Sequence, residues 1–319
     1  MDIEVIRYGG WPRCLRIAEG ETEAIATLDV GPRILAFRRR GGPNAFHEFP
    51  DHLGGTGEPR WMARGGHRLW AAPEDPARTY FADNGPVDFA PVDGWLPGAV
   101  RLKPAVEMPH GLQKELDIAI APDGTATVRH RLTNVGPAPT TLAPWALSVM
   151  APGGTAIIPL PPKRPHPGPP ENARGPEDFL PAFTMSVWPF TDFADDRWVF
   201  GSNYILLKQA KMPATKLGLA HKGPWVAYAN AGTLFVKHAT EPYDDHARYP
   251  DGGCNFETFT NEDMLEVETL GPLVTLEPGA SAEHTEVWRL LDGVGEVRNE
   301  ADVEARVAPL LSAVNPGRS

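Results

Sequence analysis

Cysteine is nearly absent from this chain, with Cys14 and Cys254 the two thiols among 319 residues. Two cysteines exclude a disulfide framework and a cysteine metal site, and the usage fits a reducing compartment. Positive charge is short as well: 30 Lys plus Arg stand against 41 Asp plus Glu, for a net charge of -11. That balance argues against nucleic acid or an anionic membrane as the main partner and leaves a neutral polar ligand unaffected. No apolar run reaches eighteen residues, and the start, Met1-Asp-Ile-Glu-Val-Ile-Arg7, is acidic without an apolar stretch of signal length. The expectation is a soluble, cytoplasmic protein with no membrane partner. Walker loop, Rossmann fingerprint, G-x-S-x-G elbow and internal repeat are all missing. Their absence removes the commonest nucleotide-binding loops and the commonest hydrolase nucleophile.

What is abundant is punctuation. The 32 Gly and 35 Pro are spread between short apolar runs rather than gathered into a tail. The first forty residues read as a β meander, with runs at Ile3 to Tyr8, Cys14 to Ile17, Glu23 to Leu28 and Arg33 to Phe37 separated by Gly and Pro. Leu112 to Ile120 and Thr125 to Asn134 flank Pro122-Asp123-Gly124, a hairpin signal. Thr140 to Met150 and the runs Tyr204–Leu207, Trp225–Tyr228 and Leu234–His238 continue the pattern. Short strands without β-α alternation predict an all-β, large antiparallel sandwich. We expect one domain over 1–319, with a Pro-rich loop excursion at 159–181 and one C-terminal helix at about 299–314, capped by Asn299 and bent or shortened by Pro309.

Around Asn255 to Leu273 several carboxylates sit among apolar residues at strand spacing. Glu266 and Glu268 leave the same face of a strand, about 6.6 Å apart at roughly 3.3 Å per residue, while Leu265 and Val267 face the core. If that face is shielded from water, two like charges so close push one pKa upward and arm a carboxyl for proton transfer near neutral pH. The same alternation also fits a solvated face with two ordinary glutamates. Gly65-Gly66-His67-Arg68-Leu69-Trp70-Ala71-Ala72-Pro73-Glu74 packs an imidazole, a guanidinium, an indole and a carboxylate together. Such a mix suits a polar ligand with an apolar face, since rings stack on C–H groups while fixed donors and acceptors orient hydroxyls. His130 shares a face with Val128 and Leu132, the pattern of a core histidine. Lys114 shares a face with Leu112 and Leu116 and needs a partner, for which the late carboxylates are candidates. Lys237 and His238 precede a second polar, aromatic stretch from Tyr243 to Gly253. No His, Asp or Glu group shows metal-specific spacing along the chain, so neither metal nor cofactor is expected.

With Gly65–Trp70, Pro73-Glu74, Gly111–Lys114, Ala143–Leu147, Tyr249–Asp251 and Met264–Pro272 in view, the chain resembles the galactose mutarotase-like superfamily of β-supersandwich proteins. Within it, the resemblance is to a bacterial domain-of-unknown-function branch related to the aldose 1-epimerases. The resemblance implies sugar chemistry in which a glutamate on a late strand takes the proton from the anomeric hydroxyl and a histidine protonates the ring oxygen. Glu268 matches that glutamate, with Glu266 second. The histidine's stretch is similar to Ala143-Pro144-Trp145, which places Ala143 where the imidazole belongs. His67 is therefore the leading acid, with His130 and His238 behind it. Arg68, Trp70, Glu74, Lys114, Trp145, Lys237, His238 and Glu257 are the expected substrate-binding residues, and a small sugar or oligosaccharide is the expected partner. A sugar isomerase of aldose 1-epimerase type is the function so implied, with a non-catalytic carbohydrate-binding protein or a glycoside lyase or hydrolase as alternatives.

Overall fold

Alternating apolar residues of period two, interrupted by glycine and proline turns, give twenty-one strands in two antiparallel sheets among the described residues. The computed structural model describes residues 1–314. One sheet has eleven strands. Its order across the hydrogen bonds runs Asp2–Tyr8, Trp11–Glu19, Thr22–Thr27, Arg33–Arg39, His67–Ala72, Thr140–Met150, Leu265–Leu270, Phe256–Thr260, Thr215–Leu219 and Met185–Val187, with Val274–Leu276 also paired to Thr140–Met150. The ten-stranded sheet runs Trp198–Phe200, Tyr204–Lys208, Thr155–Pro159, Val226–Asn230, Thr233–Ala239, Ser281–Asp292, Ala126–Asn134, Leu112–Ile120, Val100–Pro104 and Val87–Pro91. The expected hairpin is present, with Ile120 paired to Ala126 across the Asp-Gly turn.

The main core lies between the sheets. Leu69, Leu142, Val267 and Phe256 come from one side and Leu116, Val128, Phe235 and Trp288 from the other. Burying each such aliphatic side chain stabilises the fold by about 1.5–3 kcal/mol. A second apolar layer covers the far side of the ten-stranded sheet, where Val303 and Val307 of the terminal helix pack on Ile157, Leu206, Leu234 and Val236. That helix starts where Asn299 Oδ1 accepts the Asp302 N–H at 3.0 Å and runs through Pro309 to Val314, whose side chain is outside the description. Pro309 does not cut it short. The turn before the proline widens to a π-helical segment, Val303–Val307, with the Ala308 N–H bonded to the Val303 carbonyl, which accommodates a ring that has no N–H to offer. The proline-rich stretch after Pro159 is irregular, broken by short 3-10 turns at Pro170–Asn172 and Pro176–Asp178. No helix of the described residues is long and apolar enough to cross a membrane.

Candidate functional site

Five neighbouring strands of the eleven-stranded sheet define the candidate site: His67–Ala72, Thr140–Met150, Leu265–Leu270, Phe256–Thr260 and Thr215–Leu219. A strand sends alternate side chains to opposite faces, so every one of these strands serves both the core and the outer face. Register aligns Arg68 with Leu147, Leu147 with Glu268, Glu268 with Glu257 and Glu257 with Gly218, a row of outward residues crossing all five strands. The entry of the first strand depends on Gly65 and Gly66, at φ +87° and +72°. A Cβ at Gly65 would meet the His47 carbonyl oxygen and one at Gly66 the Ile34 oxygen, at 2.0 and 2.5 Å. Only glycine lets the chain turn so close to its neighbours.

On the outer face the late carboxylates are buried, Glu268 completely and Glu266 at 6% exposure, which removes the reading of a solvated face. Arg68 Nη2 donates to Glu266 Oε1 at 2.8 Å, and its guanidinium lies 4.1 Å from the Trp70 ring and 5.4 Å from that of Trp61. Trp145 Nε1 donates to Glu268 Oε2 at 2.7 Å. The Lys216 ammonium meets Glu257 Oε2 at 2.6 Å and Glu268 Oε2 at 3.8 Å, between the rings of Trp145 at 4.8 Å and Trp188 at 4.5 Å. Trp61, Trp70 and Tyr80 form an aromatic corner with ring separations of 5.3 to 5.5 Å, and Trp70 also touches Trp145. Glu74 joins through its hydrogen bond from the Tyr80 hydroxyl.

Burial pushes the Glu268 carboxyl up to about 7, with Lys216 pulling the other way and Glu266 adding to the rise. Burial likewise pushes Glu257 well above the carboxylate range. Burial works against the Lys216 ammonium, yet Glu268 and Glu257 hold its pKa above the ordinary value. Oε1 of Glu257, Oε1 of Glu268, Nε of Arg68 and Nε1 of Trp61 are buried without a hydrogen-bond partner among the described residues. An unsatisfied buried polar atom costs about 1–3 kcal/mol, and hydroxyl groups, which both donate and accept, would satisfy all four.

The structure thus brings together Glu268, Glu266, Arg68, Trp70, Trp145 and Glu257, with Glu74 at the rim. It separates the others. His67 is on the opposite side of its strand from Arg68, fully buried between the sheets, and burial pushes its pKa well below the usual value. A neutral imidazole behind the sheet does not protonate a ligand held in front of it. His130 is in the core, as its pattern predicts. Lys114 belongs to the other sheet, and its partner is Glu107 at 2.6 Å rather than a late carboxylate. Lys237 also faces the interior, bound to Glu286 at 2.7 Å, and His238 lines a cavity of about 470 Å³ beside Tyr243 and Asn255. Ala143 does lie on the outer face, packed with Trp70 and Trp145, and offers no proton. Sequence reasoning missed Lys216, Trp61, Trp188 and Tyr80. Lys216 alternates with Leu217 and Leu219, the same signal that exposed Glu268, in a strand too short to stand out.

No family model matches the sequence, and no curated protein matches it either. Solved structures do match. A galactose mutarotase-like protein from Lactobacillus casei ATCC 334 superposes with a TM-score of 0.55 at 10% identity, over 87% of this chain and 99% of that one. A candidate aldose 1-epimerase from Klebsiella pneumoniae gives 0.53 at 12% identity, over 97% and 86%. A TPR-domain containing protein from Parabacteroides distasonis ATCC 8503 gives 0.55 at 12% identity over 87% of this chain, which spans 47% of that longer one. Identities this low speak to architecture alone, and the architecture is that of the galactose mutarotase-like β-supersandwich.

Proposed function

We propose that this chain is a carbohydrate-active protein, a sugar isomerase of aldose 1-epimerase type, whose chemistry takes place on the outer face of the eleven-stranded sheet. The observation that carries this reading is the buried Glu257–Glu268 pair, bridged by Lys216 and bonded by Trp145, with a carboxylate oxygen of each left without a hydrogen-bond partner among the described residues. Glu268, poised at about 7, accepts the proton of the anomeric hydroxyl as the C1 carbonyl forms. The bond from C1 to the ring oxygen breaks, and Glu257, whose carboxyl burial pushes well above the ordinary range against the pull of Lys216, delivers its proton to that oxygen. Rotation about C1–C2 and reversal of both transfers closes the other anomer. Glu257 takes the place of the missing histidine. Trp61, Trp70 and Tyr80 stack against the sugar's C–H face, and Arg68 orients its hydroxyls. The two free cysteines, both buried, suit a cytoplasmic setting.

A non-catalytic sugar-binding protein is the second reading, favoured by Ala143 on the same face. Proton NMR exchange spectroscopy on a panel of aldoses and uronic acids distinguishes them. Wild-type protein is expected to accelerate anomer exchange, and Glu268→Gln to lower that rate by about 100-fold or more at nearly unchanged affinity. Line broadening without acceleration for any sugar retires the isomerase and leaves recognition.

A further inference from the structure

Behind the site, between the sheets, lies a second polar cluster that the proposed chemistry does not use. His67 Nδ1 meets Ser148 Oγ at 2.9 Å and its Nε2 meets His130 Nε2 at 2.7 Å, while His130 Nδ1 is 2.8 Å from the His284 carbonyl. Glu286 Oε2 is 4.0 Å from His67 Nε2, and the three ligand-type atoms of His67, His130 and Glu286 lie within 4.8 Å of one another. Each imidazole has its Nδ1 fixed by an oxygen, the outer-sphere arrangement that orients a histidine toward a metal through Nε2. We propose that His67, His130 and Glu286 form a divalent transition-metal site of the zinc class, joining the two sheets.

The two ring nitrogens are close to what such an ion requires, while Glu286 Oε2, 4.0 Å from His67 Nε2 and accepting from Trp288 Nε1, has further to move. Metal–nitrogen bonds of about 2.0–2.1 Å in a tetrahedral site separate two nitrogens by about 3.3 Å, so the rings need to open by less than 1 Å. Two histidines and a carboxylate with one position left open is a donor set that suits zinc, cobalt or ferrous iron. Thr269, hydrogen-bonded to Glu286, and Lys237 both line the cavity of about 470 Å³. In the metal-free form the rings share one proton. Lys237 donates to Ser148 Oγ, which leaves the Ser148 hydroxyl to donate to His67 Nδ1; His67 then carries its proton on Nε2 and donates to His130. An ion on Nε2 would shift the His67 proton to Nδ1, with the Ser148 hydroxyl turned so that its Oγ accepts it. The ligands come from three strands far apart in the chain, which is why linear spacing hides them. The Lys237 ammonium, 2.7 Å from Glu286 Oε1, opposes a cation by charge.

Chelator-stripped full-length protein is titrated with Zn²⁺ by calorimetry and with Co²⁺ by visible absorption, and its thermal midpoint is followed with and without metal. One ion per chain, d–d bands for cobalt and a higher midpoint are expected, since an ion that binds only the folded state stabilises it. Ser148→Ala should weaken binding by about 10- to 100-fold, Lys237→Met should tighten it, and His130→Ala should abolish it. Absence of saturable binding to the wild-type chain overturns the proposal without recourse to any variant. Binding that survives in folded His130→Ala, or that Lys237→Met leaves unchanged, overturns it as well. Sugar exchange on the outer face is a separate readout, so failure of one assignment leaves the other standing.

Discussion

The outer face and the inter-sheet cluster share three strands, which the ten-stranded sheet supplements on the inner side alone, and the two regions turn out differently. His67–Ala72 sends Arg68 out and His67 in, Thr140–Met150 sends Leu147 out and Ser148 in, and Leu265–Leu270 sends Glu268 out and Thr269 in. Outside, carboxylate oxygens, a guanidinium nitrogen and an indole nitrogen have no hydrogen-bond partner among the described residues. Inside, Lys237, Ser148, His67, His130, Thr269 and Glu286 close on one another, and Trp288 Nε1 donates to Glu286 Oε2 at 2.7 Å. The unpaired outer atoms are the ones the proposed sugar would satisfy, whereas the inner atoms already satisfy one another.

The largest effect that tests this contrast is removal of the inner carboxylate. Glu286→Ala leaves the Lys237 ammonium unpaired in a dry interior and is expected to cost about 3–5 kcal/mol in urea denaturation. Equal loss from Glu268→Gln at neutral pH would break the comparison, because Glu268 is already a strained, partly protonated carboxyl.

The two regions also titrate with opposite sign. Burial favours the protonated form of Glu286, but Lys237 and then the neighbouring histidines hold its pKa below the ordinary 4.5, so the folded state binds fewer protons than the unfolded and stability is lost as pH falls below that value. Glu268 moves from 4.5 to about 7, so between those values the folded state holds the extra proton and stability falls as pH rises, by at most about 1.4 kcal/mol per pH unit. Glu257, shifted the same way, steepens that limb. Buried His67, His130 and His284, held below the usual 6.5, make total stability rise with pH in the same window, so the Glu268 contribution is read as a difference: wild-type stability minus that of Glu268→Gln should fall as pH rises from 4.5 to 7.

The smallest effect sharpens the outer site itself. Trp145→Phe removes the donor to Glu268, costing about 1–3 kcal/mol, and raises the Glu268 pKa further. The acid limb of the anomer-exchange rate should move to higher pH. An unmoved limb would take Glu268 out of the base role.

Much of the fold is legible in the chain because period-two alternation and turn residues are local. The meander, the Asp-Gly hairpin and the cap at Asn299 all follow from neighbours in sequence, as does the outward facing of Glu266 and Glu268. The path of the helix through Pro309 is less so, since it depends on Val303 and Val307 docking on the ten-stranded sheet. At the site the same alternation holds the correction for His67: adjacent to Arg68 in sequence, it must face the other way.

What the sequence determined by itself is therefore the alternation of faces, and with it an all-β sandwich and a set of carboxylates and rings that share one side. Which strands become neighbours was decided only in three dimensions. Pairing of Phe256–Thr260 with Leu265–Leu270 and Thr215–Leu219 puts Glu257 and Lys216 beside Glu268, and stacking of the two sheets brings His67 to His130 and Glu286. The physical reason is range. Side-chain direction is set by each residue's own backbone, whereas burial, charge pairing and the resulting pKa shifts depend on strands joined through hydrogen bonds between residues remote in the chain.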